Sequence, residues 1–405
     1  MRPEPPIEVS PNHPMFGIAA ISHTPSTGIV EIEFTDGRRS QGDIGLITEA
    51  DYIRHTIFDI ATSTLRVNLL NGSDVTMKIG TVRTAVDHPV VYLDQNHWID
   101  MARHAVGSPQ LSPERRQVCK RIAELAEAGQ IILPVSAAHL GEIAKKADRQ
   151  RTEVAQVMLK LSQGWQMCSP LRVEDHELSQ IFASGPALTK SQVFTVEPGA
   201  MWSSRTEQQL PAPSEQDPLP ADLESLVGRL TWATAMVETF VDTRRLVSDA
   251  GLRKTDRWAA SFQELAVHVR GNPKARQQLR LVTRVRFMSD INDELTAAAG
   301  AAGLTPEQFY QWSLTQSEHD LAAVPMLGRF RELVHLRVSN ADDKWEGNDL
   351  NDTLYLCCAS GYANIVVGEK KTVSYLLRMK GKVPDGAEVF RRLEDALPSI
   401  EAALE

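Results

Sequence analysis

At 405 residues, with 42% hydrophobic side chains, the chain exceeds one ordinary domain and can build a sizeable core. A formal net charge of −9 excludes a global attraction for polyanions, so any nucleic-acid partner has to be met by a local basic surface. The four cysteines, Cys119, Cys168, Cys357 and Cys358, include an adjacent pair and no Cys-x-x-Cys spacing, which argues against a disulfide framework or zinc ribbon and for a reducing, cytoplasmic setting.

Residues 1–86 read as a β-rich N-terminal module. Gly28 to Phe34 alternates apolar and polar residues before the Asp36-Gly37 turn, and Leu65 to Leu70 repeats the pattern before Asn71-Gly72. The opening residues 1–6 carry no apolar signal core and no apolar run is long enough to span a bilayer, so a soluble protein with no membrane partner is expected.

From residue 87 the pattern becomes strand followed by helix. Val90 to Leu93 is a short apolar strand that ends in Asp94 and turns straight into a helix. Ser112-Pro113 starts a second helix and Gly129 stops it. Ile131 to Val135 is a buried strand, and Ser136 can cap the helix that carries His139 and Glu142. This rhythm predicts a parallel sheet with helices on both faces, over residues 87–182 and again over 341–405. Between them, 183–222 is a Pro-rich loop and 223–340 a helical insertion.

Acidic residues stand at the ends of several of these elements: Asp94, Glu142, Asp349, Asp352 and Glu369. Carboxylates brought to strand and helix ends can hold a divalent metal against a phosphodiester. Asp349 and Asp352 are about one helical turn apart, so both can face one site. Asn96 and Ser136 are candidates for orienting water or a phosphate oxygen, with helix capping as the plainer role. The tract from His268 to Phe287 holds Arg270, Lys274, Arg276, Arg280, Arg284 and Arg286 with no acid, which fits a phosphate-tracking surface or a solvated face paired with acidic neighbours. A second basic cluster, Lys145, Lys146, Arg149 and Arg151, follows Glu142. Trp345 stands where it could stack on a base.

The segments Tyr92 to Ile99, Leu133 to Glu142 and Asp352 to Lys370 together resemble the blocks of PIN-domain ribonucleases. Asp94, Asn96, Glu142 and Asp352 match that family's positions one by one, and Glu369 falls about where its last acid belongs. The resemblance implies a PIN-like α/β fold and a metal-dependent endoribonuclease that uses Mg2+ or Mn2+. Asp94, Glu142, Asp352 and Glu369 would be catalytic, with Asp349 a further metal ligand. Asn96, Ser136, Lys145, Arg149 and Lys370 would meet the substrate, which is RNA or single-stranded DNA. It also implies a toxin or defence role, with a protein inhibitor or defence-system partner and a homodimer as associated expectations. Two alternatives stand beside it. One is a catalytically degenerate PIN-like module that binds RNA or protein. The other is a haloacid-dehalogenase-like phosphatase, since Gly347 to Asp352 is similar to that family's metal motif, with Asp94 as nucleophile and Ser136 as phosphate ligand.

Overall fold

The computed structural model describes residues 17–43, 52–78, 88–144, 148–183, 185–196, 200–201, 230, 233–241, 249–340 and 342–405. Its contacts divide the chain into two compact units. One takes the described residues of 1–83, 140–166 and 196–246, and the other those of 84–139, 167–195 and 247–405. The protein is thus mixed α/β, with an antiparallel sheet at the N-terminal end and a helix-rich C-terminal region.

In the first unit, β1 (Ile18–Thr24), β2 (Ile29–Phe34), β3 (Arg39–Asp43), β4 (Ile53–Asp59), β5 (Thr64–Leu69) and β6 (Asp74–Lys78) form one antiparallel sheet in the order β3-β2-β1-β4-β5-β6. The hairpins read from the sequence are present. Gly37 and Gly72 each take φ of +83°, the left-handed conformation that their turns require and that glycine adopts without a Cβ clash. Leu65, Val67, Leu69, Val75 and Met77 alternate inward and are buried, as a half-covered sheet demands. Helix α4 (Asp148–Ser162) packs on β6.

The second unit opens with β7 (Val91–Leu93), α1 (Gln95–Ala105) and α2 (Pro113–Glu127). Ser112 caps α2 by accepting from the Arg115 amide at 3.1 Å, and Gly129 ends the helix at φ +66°, the start and stop expected from the sequence. Helix α3 (Ala137–Ala144) follows, running from this unit into the first. Then come β8 (Gln166–Met167), α5 (Pro170–Ala183), α6 (Lys190–Val193) and β9 (Phe194–Thr195). The region expected as a helical insertion holds α7 (Asp249–Gly271), α8 (Pro273–Gln277), α9 (Leu279–Asp290), α10 (Asn292–Ala301), α11 (Pro306–Thr315), α12 (Ser317–Ala323) and α13 (Pro325–Ser339). The chain closes with α14 (Asp349–Tyr362), β10 (Ile365–Val367), α15 (Lys370–Arg378), β11 (Glu388–Phe390) and α16 (Leu393–Ala402).

The parallel sheet has three strands in the order β11-β10-β7, and Ile132 bridges to Val90 in parallel on the other side of β7. The expected parallel sheet is thus present only as this small set, and the larger sheet is the six-stranded antiparallel one. The reason is local: β7, β10 and β11 are each three residues long and pair over that length alone. Val90, Val91, Tyr92, Leu93, Ile365, Val366 and Val367 are all buried, consistent with a strand set covered on both sides. Helix α1 packs on α2, α2 on α16, and α16 on β10 and β11. Helix α13 packs on α14, α9, α7, α5 and α15, which explains why it is buried almost along its whole length, charged residues included.

Burying those charges is tolerable only because each has partners. Arg331 pairs with Glu318 at 2.6 Å, Glu332 with Arg280 and Lys382, and Arg329 donates to the carbonyls of Pro325 and Pro384. At the amino end of α13, Glu177 accepts from the amides of Met326 and Leu327 at 2.7 and 2.8 Å and from the Tyr362 hydroxyl at 2.6 Å. This carboxylate supplies acceptors to the first amides of a helix whose capping position, Val324, has none to give.

Candidate functional site

The parallel register fixes what lies at the carboxyl edge of the small sheet. Leu93 pairs with Val367 and Val367 with Phe390, so the strands end level with one another. The chain then continues into Asp94 beyond β7, Gly368-Glu369 beyond β10 and Arg391-Arg392 beyond β11. Two of the expected acids, Asp94 and Glu369, are brought together here by strand pairing alone.

Asp94 is the N-cap of α1. Its Oδ1 accepts from the Gln95 amide at 2.8 Å, and its Oδ2 accepts from the Glu369 amide at 3.1 Å. Its own amide donates to the Val367 carbonyl at 2.9 Å. Asp94 therefore does the capping that any strand-to-helix turn needs, and also ties the ends of β7 and β10. Asn96 donates from Nδ2 to Glu369 Oε1 at 3.1 Å, so its side chain serves the neighbouring acid rather than a helix end. Glu369 and Lys370 are exposed at the start of α15.

A buried polar cluster supports the edge from below. Ser136 is fully buried; its Oγ lies 3.0 Å from the Tyr92 hydroxyl and 3.4 Å from His139 Nδ1. The Ser136 amide donates to His139 Nδ1 at 3.1 Å, which places the ring proton on Nε2, 2.9 Å from the Leu93 carbonyl. Burial pushes the His139 imidazole down to about 4, in keeping with a neutral ring. The ring also stacks on Tyr92 with centroids 5.3 Å apart. Ser136, expected at a substrate or phosphate oxygen, is thus enclosed in the core, and its hydroxyl is engaged there. His139 is a packed core histidine whose ring accepts from the Ser136 amide ahead of α3.

His97 bonds the Gly368 carbonyl, and burial followed by the nearby Arg115 charge lowers its imidazole to about 4. Arg115 in turn pairs with Asp100 at 3.2 Å and with Glu394 at 2.6 Å, joining α1, α2 and α16. Nothing in the sequence marked these residues beyond their polarity, since their partners lie up to 279 positions away.

The remaining expected residues divide sharply. Asp352 lies in the first turn of α14 and is partly exposed. Asp349, one turn earlier, is instead held by Arg337 at 2.8 Å and by the Glu346 amide at 2.6 Å. Arg337 also binds Asp343 at 2.8 Å and lies 4.0 Å over the Trp345 ring. Lys371 completes the group, 2.8 Å from Asp343. Trp345, expected as a base-stacking residue, is buried against Phe262 and Trp258, which leaves its face no access to a base. Asn364 stands at the amino end of β10 and accepts from the Val90 amide at 2.9 Å, on the edge opposite Asp94. Glu142 belongs to the first unit. Lys145 and Lys146 lie outside the described residues, as do the Arg149 side chain and most of the Pro-rich loop.

The basic tract resolves into two parts. Arg280 pairs with Glu332 and Glu318, Arg284 approaches Glu318, and Arg286 pairs with Asp290 at 2.7 Å, so this part is the neutralised face. Arg270, Lys274 and Arg276 are exposed. Among the described residues, no group of three or more His, Cys, Asp or Glu side chains is gathered closely enough to hold a metal, and no helix is long and apolar enough to cross a membrane. Comparison with protein-family models, curated proteins and solved structures finds no match for this chain.

Proposed function

We propose that this protein is a metal-dependent phosphodiesterase acting on RNA, built on a PIN-like α/β unit. The observation that carries the reading is the pairing of Asp94 with Glu369 at the adjacent carboxyl ends of β7 and β10. Strand order adds support. Beyond β7 the chain next pairs at Ile132 on one side, whereas β10 and then β11 lie on the other. Open α/β sheets bind ligands in the crevice above such a reversal.

The donor chemistry fits a hard divalent cation. Carboxylate oxygens are the ligands such a cation takes, and the amide bonds of Gln95 and Glu369 hold the Asp94 carboxylate in place. Asp94 and Glu369 would hold Mg2+ or Mn2+, with Asp352 as the further carboxylate of the same unit. Asp349 is less suited because Arg337 already occupies it. When bound, such a cation supplies an activated water and stabilises a leaving oxygen. The chain's own part is positional. Asn96 steadies the Glu369 carboxylate, and Lys370 offers an exposed ammonium to a phosphate beside it.

The non-cleaving, RNA-binding alternative is favoured by two observations. Both Asp94 oxygens are satisfied by amides without a metal, and no cluster of three ligand-type side chains is formed among the described residues. The phosphatase alternative loses support, because burial of Ser136 removes its phosphate ligand.

The test incubates the protein and its Asp94→Asn variant with single-stranded and structured RNA in Mn2+, Mg2+ or EDTA. Cleavage by the parent protein that requires metal and disappears in the variant is the expected result. Equal cleavage by both, or cleavage indifferent to EDTA, sinks the metal-nuclease reading, and binding without cleavage selects the second.

A further inference from the structure

The carboxyl edge of the small sheet is acidic at β7 and β10 but basic at β11, where Arg391 and Arg392 follow the last strand residue. Arg392 is committed to Glu394 at 3.4 Å. Arg391 is not committed in this way. It is exposed and donates to Ser374 Oγ at 2.9 Å, which places its guanidinium on α15. Ser374 is four residues from Lys370 and four from Arg378, so Lys370, Arg391 at the level of Ser374, and Arg378 share one broad face of the helix.

All three cations are exposed, and among the described residues none has a carboxylate partner. Arg378 touches only the ring of Tyr375, 5.8 Å from its centroid. Lys371, on the neighbouring face, is drawn off by Asp343. In a chain of net charge −9, a face with three unneutralised cations is the local basic surface that a polyanion needs. Its length, about 12 Å from Lys370 to Arg378, is that of a stretch of backbone rather than of one phosphate group.

Resting on the phosphodiesterase reading above, we infer that this face of α15 is the track along which the phosphates of a single-stranded RNA leave the Asp94–Glu369 edge. Lys370 holds the phosphate nearest the carboxylates, Arg391 the next, and Arg378 the far one. Ser374 acts as a positioning residue that aims the Arg391 guanidinium across the helix. The track reads charge and not sequence, because it offers no side chain to a base edge.

The experiment measures anisotropy of a fluorescent single-stranded RNA in EDTA across a salt series. It compares the full chain with K370Q/R378Q/R391Q and with a control, K274Q/R276Q, on α8. Each lost phosphate contact on a single strand removes about 0.7 from the slope of log K against log salt, so the triple variant is expected to lose about 2. The control is expected to keep the parental slope, and Ser374→Ala to weaken binding less than Arg391→Gln does. An unchanged slope in the triple variant, a lost slope in the control, no RNA binding at all, or track-dependent binding to phosphatidylserine vesicles in place of RNA overturns the inference. Unaltered thermal unfolding of the variants verifies that these surface changes leave the fold intact. The two readings fail separately. Track-dependent binding without metal-dependent cleavage removes the nuclease and keeps the track, whereas metal-dependent cleavage with an unchanged slope does the reverse.

Discussion

The Glu369 amide donates to Asp94 Oδ2, joining two residues 275 positions apart in sequence. Capping and strand-end closure therefore share one carboxylate with any catalytic duty. Asp94→Ala is expected to lose about 1–3 kcal/mol of stability, since it strips acceptors from two amides, and Asp94→Asn less, since one acceptor remains. Urea unfolding of both variants checks this. Loss of cleavage in Asp94→Asn at nearly parental stability would then be chemical rather than structural.

Asn96 faces a carboxylate, which makes its charge state informative. Asn96→Asp would set two like charges against each other at Glu369, lowering the melting temperature in EDTA. Added Mn2+ is expected to restore the lost stability and to raise the midpoint more than it does in the parent protein. A melt indifferent to Mn2+ would argue against cation binding at this edge. The readout does not depend on catalysis.

His97 and His139 predict a pH dependence. Both have folded values near 4, below the usual value near 6.5, so the folded state prefers the neutral ring. Their contribution is fully present above about pH 6.5 and is lost as pH falls toward 4. Between pH 7 and pH 5, where ordinary carboxylates stay ionised, each is expected to withdraw about 2 kcal/mol. Urea midpoints at the two pH values measure the loss, and His139→Gln should reduce it. A midpoint that does not move would show that the rings are protonated in place.

Asp349 and Asp352, neighbours on one helix turn, should behave differently. Asp349→Ala removes a partner from the buried Arg337 and is expected to cost about 1–3 kcal/mol, with Mn2+ binding unaltered. Asp352→Ala should weaken Mn2+ binding. Asp343→Ala, which breaks the pair buried on both sides, should cost more, about 3–5 kcal/mol. Denaturation and calorimetric titration with Mn2+ separate the three.

Much of the local structure was legible because its signals are local. Asp36-Gly37 and Asn71-Gly72 announce their hairpins, and Ser112-Pro113 with Gly129 brackets α2. Asp94 was legible for the same reason, as the residue between an apolar triplet and a helix. Long-range pairing was less so. Asp349 and Asp352 look alike in the chain, which gives no sign that Arg337 arrives at Asp349 from α13. Ser136 reads as a polar cap until Tyr92 and His139 enclose it. The basic tract on α9 reads as a phosphate surface until Glu318 and Glu332 meet it from other helices. Arg391 was invisible for the opposite reason: a lone arginine after a three-residue strand acquires meaning only from the strands beside it.

The level ending of β7, β10 and β11 makes alignment itself an electrostatic variable. Asp94 is followed by Gln95, and Glu369 by Lys370. Slippage of either strand by one residue would present an amide or an ammonium where a carboxylate now stands, as well as turning buried side chains outward. A one-residue shift would therefore neutralise the local charge at β7 and reverse it at β10. With strands only three residues long, little pairing resists such a shift. The Leu93 carbonyl bond to His139 and the Val90 amide bond to Asn364 pin β7 at both of its ends, and so guard the sign of the field at that edge.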